Sequence, residues 1–552
     1  MNARKVAFNA SFLRVLIVAA ISTSGCSGSS GSSQGSQGSQ PPPTSSNTFY
    51  VDCSQPSNGS GTQSSPWNTL SSPNALTFVA GNTIYFKRGT VCSGIFKPQG
   101  SGTATSPIVV DAYGTGALPI INGGITNFTD LFLHNQSYWT IQNIEFEGGQ
   151  YWAVSVEATN NSAVTGITIT DVTAIGATYV STSRTDSGEI EVAADGSDSA
   201  TISDVNISGV TAGNTKASEG IFVSAGNDTS MTGAKGSNIS VTNSNVSNVY
   251  GDGILVIDAN NVTMSGNTVT QSGECPSCGT STPGAIWVWN TTNAVLSSNE
   301  SYANNSWGGD GGGFDIDFWN TNVTVENNYI HDNKGYCVSV FGANNEATVN
   351  SIIRFNVCIN NDASSSSIIQ GDFFLNTWNG GSLNGVEIYN NTSYWTAPLQ
   401  NDYELMDDSA TFSGSNPSFY MNNLIYSTLQ YPDIINAGPP MKLSNNLYYS
   451  SYSTPQYWFG YNGSWWDSFS AYQSGSGQDS NSIIANPLLA DPGYDVNNVW
   501  PKTQYAPQSG SPAIGAGANV CTGISGCSMG SSDFLGQPLP ASGYWIGAIQ
   551  EQ

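Results

Sequence analysis

Cations are what this sequence has least of. Its 552 residues include 13 Lys+Arg and 2 His against 39 Asp+Glu, a formal net charge of −26. A nucleic-acid binder needs a basic stripe to neutralise phosphates, and a protein that docks on anionic lipid needs a basic patch. This chain can supply neither. Charged residues of both signs reach only 9%, against roughly 25% in an ordinary soluble domain. A membrane-length apolar run is missing too. The stretch Val15 to Ile21 is too short to cross a bilayer. What is present is 61 Gly and 11% aromatic residues in a chain that is 38% apolar. That is enough to bury a core, so disorder does not fit the main body.

The start of the chain reads as address and tether. Arg4, Lys5 and Arg14 precede the apolar run, as in a signal peptide. Ser24-Gly25-Cys26 then resembles a lipoprotein cleavage site, which makes 1–26 a lipoprotein-type signal and Cys26 a candidate lipid anchor. Residues 27–47 are rich in Gly, Ser and Gln and carry Pro41-Pro42-Pro43, a flexible linker with a stiff end. Residues 48–550 remain as one domain. The expected location is secreted or anchored at the cell surface, as a monomer. Eight of the nine Cys lie beyond Cys26, an even number that suits an oxidising compartment. Paired in sequence order they give Cys53–Cys92, Cys275–Cys278, Cys337–Cys358 and Cys521–Cys527. Cys275-Pro-Ser-Cys278 would be half a zinc site, but no second Cys pair or paired His accompanies it. It reads as a small loop bridge.

From residue 130 to about 393 two kinds of short strand alternate. The first includes Glu189-Ile-Glu-Val192, Ile221-Phe-Val223, Ile254-Leu-Val-Ile257, Ile286-Trp-Val-Trp289 and Phe314-Asp-Ile-Asp317. The second carries Asn at its ends, as in Asn261-Val-Thr-Met-Ser-Gly-Asn267 and Asn322-Val-Thr-Val-Glu-Asn-Asn328. A period of tens of residues with short strands and no helical pattern means a solenoid. The fold class is therefore all-β, with nine or more coils legible and long C-terminal loops after about residue 395.

The ends of the body carry a family resemblance. The opening has Phe49-Tyr-Val-Asp52, Ser65-Pro-Trp67 and Gly81-Asn-Thr-Ile-Tyr-Phe86, and the close has Asn486-Pro-Leu488, Gly510-Ser-Pro-Ala-Ile514 and Ile546-Gly-Ala548. With these the chain resembles the right-handed parallel β-helix proteins of the pectin-lyase-like superfamily. The resemblance implies one β-helix over nearly the whole mature chain. It implies no particular activity, because that superfamily holds polysaccharide lyases, glycoside hydrolases and non-enzymatic surface proteins.

Alternation along a strand assigns faces. With Ile190, Val192, Ile286, Val288, Phe314 and Ile316 pointing inward, the outward set becomes Glu189/Glu191, Phe222/Ser224, Leu255/Ile257, Trp287/Trp289, Asp315/Asp317 and Cys337/Ser339. Two outward Trp then sit one coil, about 4.8 Å, beneath two outward Asp. Exposed indoles suit the C–H face of a sugar. Asp315 and Asp317 are two apart on one strand, roughly 6.5–7 Å between Cα atoms, within the separation of about 6.5–9.5 Å found for inverting glycosidases. Asp310 lies in the glycine-rich turn before them, where Gly308, Gly309, Gly311 and Gly312 would let a ligand approach the backbone.

The expected reading is a polysaccharide-degrading glycoside hydrolase. Asp315, Asp317 and Asp310 are the catalytic candidates, and Trp287, Trp289, Trp307, Trp319, His331 and Lys334 the substrate contacts. No cofactor is required, and the strongly negative charge favours a neutral glycan over a polyuronate. A calcium-dependent polysaccharide lyase is the alternative, with Asp310, Asp315 and Asp317 as calcium ligands and Lys334 as the base. A glycan-binding surface protein without activity is the third. Glu189/Glu191 read as a remote solvent-facing pair, Gly251-Asp252-Gly253 as a turn, Asp407-Asp408 as a weak extra candidate, and residues 395–480 as a possible lid over the Trp face.

Overall fold

The computed structural model describes residues 47–550, apart from 180–185, 196–197, 228–229, 276–282, 307–308, 363–369, 397–403, 408–409, 494–501 and 525–526. The chain divides into a leading stretch through Asn47 and a compact unit from Thr48 to Gln552. Trp307, Asp408, Cys278 and Cys26 fall outside the described residues.

Each coil of the compact unit visits three sheets in turn. One coil runs Ile286–Trp289 in the first sheet, Thr292–Ser297 in the second and Glu300–Tyr302 in the third. The chain then returns to the first sheet at Phe314–Ile316. The second and third sheets have 14 strands each, and the first has 13, the last of them antiparallel. This is the parallel β-helix expected from the period. Among the described residues helix is limited to short pieces, the longest being Phe469–Ser476.

The core follows from alternation. Ile190, Ile221, Ile254, Ile286, Phe314 and Val338 stand in register up the first sheet, and all are fully buried. Each such side chain contributes about 1.5–3 kcal/mol relative to exposure. A single coil has no partner for this face, so the stack is the stable unit.

Corners leave backbone groups unpaired, and amide side chains take them up. Between the second and third sheets Asn267, Asn299, Asn328, Asn356, Asn391, Asn423 and Asn446 form a ladder. Each Oδ1 accepts the backbone N–H of the Asn one coil below, at 2.9–3.0 Å. A second ladder, Ser272–Asn304–Asn333–Asn361, lines the corner between the third and first sheets. The Asn-flanked strand pattern in the sequence is the trace of the first ladder.

Three of the expected disulfides are formed, Cys53–Cys92, Cys337–Cys358 and Cys521–Cys527. The second corrects a face assignment. Cys337 was expected to point outward, but it is fully buried in the main core, bonded to the third-sheet strand Val357–Ile359. The corner turns the chain just before the regular strand, so the residue there faces inward as well. Glu189 obeys the same rule. It is fully buried and accepts the Ala177 backbone N–H at 3.1 Å. Glu191 does point outward but is only 4% exposed, with Ser155 donating to it at 2.8 Å. The two do not form a solvent-facing pair.

Residues after 395 supply the expected final coils and differ from expectation only in the lid. Among the described residues of 404–484, the chain continues the three sheets and ends in the hairpin Trp458–Tyr461/Ser464–Trp466 and the helix Phe469–Ser476. These build the last coils and close the core with Phe459 and Tyr472. They do not form a lid. Leu489, Tyr505, Phe534 and Ile546 pack on the outer face of the third sheet, against Tyr329, Ile359 and Leu424.

Candidate active site on the first sheet

The outward row of the first sheet reads, in register, Phe222, Leu255, Trp287, Asp315, Ser339 and Phe374. Trp287 therefore stands one rung below Asp315, as the alternation implied. The regular strand ends at Ile316, yet Asp317 still donates its N–H to the Val288 carbonyl at 3.1 Å. That keeps it beside Trp289. Neither couplet lies inside the cylinder, where Ile286, Val288, Phe314 and Ile316 belong to the main core.

The outer face is covered, however, not open. Asp315 and Asp317 are 7% and 8% exposed. Trp287 is 3% exposed and belongs to a separate apolar cluster with Trp152, Phe222, Leu255 and Ile257. This corrects its expected role. Trp287 packs the outer face of the lower coils and does not present a free ring. Trp289 and Trp319 are half-buried and flank Phe318, with ring centroids at 5.1 and 5.2 Å from it. Trp378, also half-buried, meets the edge of Phe318 at 5.9 Å. The accessible aromatic platform is thus Trp289, Trp319 and Trp378, displaced toward the corner between the first and second sheets.

Both carboxylates are held by neighbours. Ser339 Oγ donates to Asp315 Oδ1 at 2.7 Å. The Phe318 backbone N–H donates to Asp317 Oδ1 at 2.9 Å. Asn320 fixes that turn by donating to the Asp317 and Val288 carbonyls at 2.6 and 2.9 Å.

Asp310 approaches from the turn below, its backbone in the left-handed region at φ 51°. The Gly335 N–H donates to the Gly311 carbonyl at 3.0 Å, which lays the Lys334–Gly335 turn on the Asp310 turn. Lys334 is half-buried there. The glycines serve a different purpose from the one expected. A Cβ on Gly312 would overlap the ring of Tyr336, and one on Gly313 would overlap Ile330. They make room for a side chain of this protein.

Tyr336 is the residue that sequence reasoning missed. Its ring is fully buried, parallel to Phe374 at 6.1 Å and edge-on to Phe341 at 6.0 Å. Burial pushes its hydroxyl well above the ordinary phenol range. The charges of Asp310, Asp315 and Asp317 push the same way, while Ser339 opposes them. One phenol thus feels all three aspartates that the sequence singled out. The signal for it was the glycine run one coil beneath a Tyr.

His331 is not part of this group. It lies on the third sheet in Tyr329–His331, stacked on Tyr302 at 4.9 Å. Its Nδ1 and Nε2 meet Asp332 and Glu300 at 2.8 and 3.3 Å. Burial lowers its proton affinity, but these two carboxylates outweigh burial and raise it. Asp407 sits on a first-sheet rung higher up and accepts the Ala410 N–H. Lys235 lies on the other flank. Burial lowers its proton affinity and Asp258 raises it. Asp258 in turn accepts from Asn290 at 2.6 Å.

Among the described residues, the trio of potential metal ligands with all ligand atoms within 4.8 Å of one another is Cys337, Cys358 and Asp372, and the two cysteines are bonded to each other. Asp310, Asp315 and Asp317 do not converge that closely.

The three-sheet coil and this outward row define a β-helix with a carboxylate-bearing face. The family described as right handed beta helix region matches residues 110–299 and 186–395, together more than half of the chain. The protein belongs to the right-handed β-helix family. Among solved structures it is similar to a GH136 lacto-N-biosidase from Eubacterium ramulus, at 18% identity and TM-score 0.50, over 66% of this chain and 67% of that one. It is also similar to the pectate lyase Pel9A, at 14% identity and TM-score 0.40, over 92% and 96%. An alginate lyase from Paenibacillus sp. str. FPU-7 follows at 14% and 0.32, over 66% and 99%. At these identities the likeness is one of fold. No curated protein matches the chain.

Proposed function

We propose that this protein is an extracellular carbohydrate-active enzyme, a glycoside hydrolase whose acid and base are carboxylates of the first sheet. The observation that carries the reading is the grouping of Asp310, Asp315 and Asp317 around Tyr336, beside the platform of Trp289, Trp319 and Trp378. Asp317, whose Oδ1 accepts the Phe318 N–H, is the base that activates water. Asp315 shares its surroundings with two other carboxylates and is the proton donor to the leaving oxygen. Asp310 assists from the turn. The spacing along the strand suits inversion with a water between acid and base. The disulfides support an oxidising compartment, and Cys26 is the proposed lipid anchor.

A calcium-dependent polysaccharide lyase is the second reading, favoured by Lys334 on the Asp310 turn. One experiment separates the readings. Purified protein is incubated with a panel of neutral and uronate polysaccharides, with and without chelator. A hydrolase yields reducing ends without ultraviolet absorbance and ignores the chelator. A lyase yields an absorbing unsaturated product and stops when calcium is removed. Turnover unaffected by both Asp315→Asn and Asp317→Asn would sink both assignments, and no turnover on any substrate favours a glycan-binding protein.

A further inference from the structure

We infer that Trp289 and Trp319 form a subsite for an N-acylated amino sugar, whose amide carbonyl oxygen accepts from their indole N–H groups. The inference rests on the glycan-binding part of the proposed function and not on its catalytic part.

The two rings lie 6.1 Å apart at 42°, next to Asp317. Both Nε1 atoms are shielded from solvent and have no hydrogen-bond acceptor in the protein. A buried N–H left unpaired is destabilising, and indole nitrogen usually finds a partner when buried. Two adjacent orphans point to an acceptor supplied from outside.

The backbone gives a second, independent sign. Trp319 sits at φ 66°, a conformation that bulky side chains rarely adopt. The ladder bonds Asp258 N–H to Trp289 carbonyl and Asn290 N–H to Phe318 carbonyl put Asp258, Asn290 and Trp319 at one corner position in successive coils. Asp258 and Asn290 hold the same left-handed backbone, at φ 56° and 52°. Asp and Asn tolerate it at little cost. Replacing them with Trp in the site coil alone of these three stores strain, which such positions keep where function requires it.

The chemistry of the acceptor follows. An indole N–H only donates. A sugar hydroxyl brings a proton of its own that needs an acceptor. A carbonyl oxygen only accepts and has two lone pairs. A carboxylate would also accept, but Asp315 and Asp317 in the adjoining coil, on a chain of net charge −26, oppose an anion. Ring, glycosidic and ester oxygens also only accept, but an amide carbonyl is the strongest neutral acceptor a sugar carries. Its acyl methyl would rest on the ring faces of Phe318 and Trp378.

The test uses the full-length protein with two neutral probes of equal length, an N-acetylglucosamine oligomer and a glucose oligomer, measured by titration calorimetry. The wild type is expected to bind the acetylated oligomer about ten- to hundredfold more tightly, the value of two net hydrogen bonds. Trp289→Phe and Trp319→Phe keep a ring and remove the N–H. Each variant is measured with both probes, and each is expected to lose about tenfold of the ratio between them. Indole side-chain N–H resonances of the wild type give a reading that needs no variant, and two of them should move downfield with the acetylated probe only. Equal affinity for both probes, no binding of either, or Phe variants that keep the full ratio would overturn the inference. Asp315→Asn that leaves turnover intact would defeat the catalytic assignment but not the subsite, so the two fail separately.

Discussion

Ser339 Oγ lies 2.7 Å from Asp315 Oδ1, one rung above it. The same rung order places Trp287 directly below Asp315. The carboxylate is therefore gripped from above and packed from below.

A carboxylate held this way and acting in proton transfer should be hard to replace. Asp315→Asn and Asp317→Asn are each expected to cut turnover by about 10²–10⁴-fold, the usual range for an acid or base. Ser339→Ala, which removes one hydrogen bond to the carboxylate, should cost about tenfold. Initial rates on an active polysaccharide from the panel, with thermal unfolding to show intact folding, check the order. Equal effects of Ser339→Ala and Asp315→Asn would contradict it.

The correction at Trp287 has a measurable side. A ring that is 3% exposed within an apolar cluster is a packing element. Trp287→Ala is expected to destabilise by about 3–5 kcal/mol. Trp378→Ala, at a half-buried ring, should cost far less stability and mainly weaken glycan binding. Denaturant midpoints and glycan affinity for the two variants separate the roles. A stable Trp287→Ala protein that has lost glycan affinity would restore the original expectation.

The fold was readable because it repeats. Strand alternation and the Asn-ended segments each recur coil after coil, so an error in one place is corrected by the next. The face assignment held for Trp287, Asp315 and Ser339, which lie in the middle of strands. It failed at Cys337 and Glu189, which precede the in-register Val338 and Ile190 at the corner, where the chain turns and alternation does not encode that turn. His331 misled for another reason. It is near Asp317 in sequence, but the strand Tyr329–His331 belongs to the third sheet. Tyr336 and Trp378 were invisible to a rule that looks for carboxylates and for paired indoles, since their roles come from the rungs above the Asp coil.

Acids withdrawn from solvent set a pH dependence of stability. Burial pushes Glu189 up to about 8, Asp130 and Glu387 to about 7, and Asp372 to about 6. Each binds its proton more tightly folded than unfolded. Their contribution is therefore fully present below the ordinary carboxyl range and is lost as pH rises toward 8. Asp52 runs the other way. Burial opposes it, but the hydrogen bonds from Lys87, Ser54 and Gln55 prevail and hold it near 2, so its contribution is lost only as pH falls to that value. The unfolding temperature should peak on the acid side of neutrality and decline through pH 8. Glu189→Gln, which retains an oxygen for the Ala177 N–H, should be more stable than wild type at pH 8 and flatten the decline. An unchanged slope in that variant would remove Glu189 from the account.

The glycine run offers the sharpest separation between a ligand cradle and an internal fit. If Gly312 existed to admit substrate backbone-close, a methyl there would weaken binding and leave Tyr336 in place. The structure places the Tyr336 ring where that methyl would stand. Gly312→Ala must therefore displace a fully buried phenol wedged between Phe341 and Phe374. It should cost about 1–3 kcal/mol of stability from overpacking. It should also lower turnover by disturbing Ser339 and Asp315, with the Michaelis constant little changed. Tyr336→Phe in the same background keeps the ring and its clash, so it should not restore stability, whereas Tyr336→Ala should recover part of it. Denaturation curves and steady-state kinetics on the single and double variants decide the matter. A Gly312→Ala protein of wild-type stability whose only defect is a raised Michaelis constant would return these glycines to the ligand.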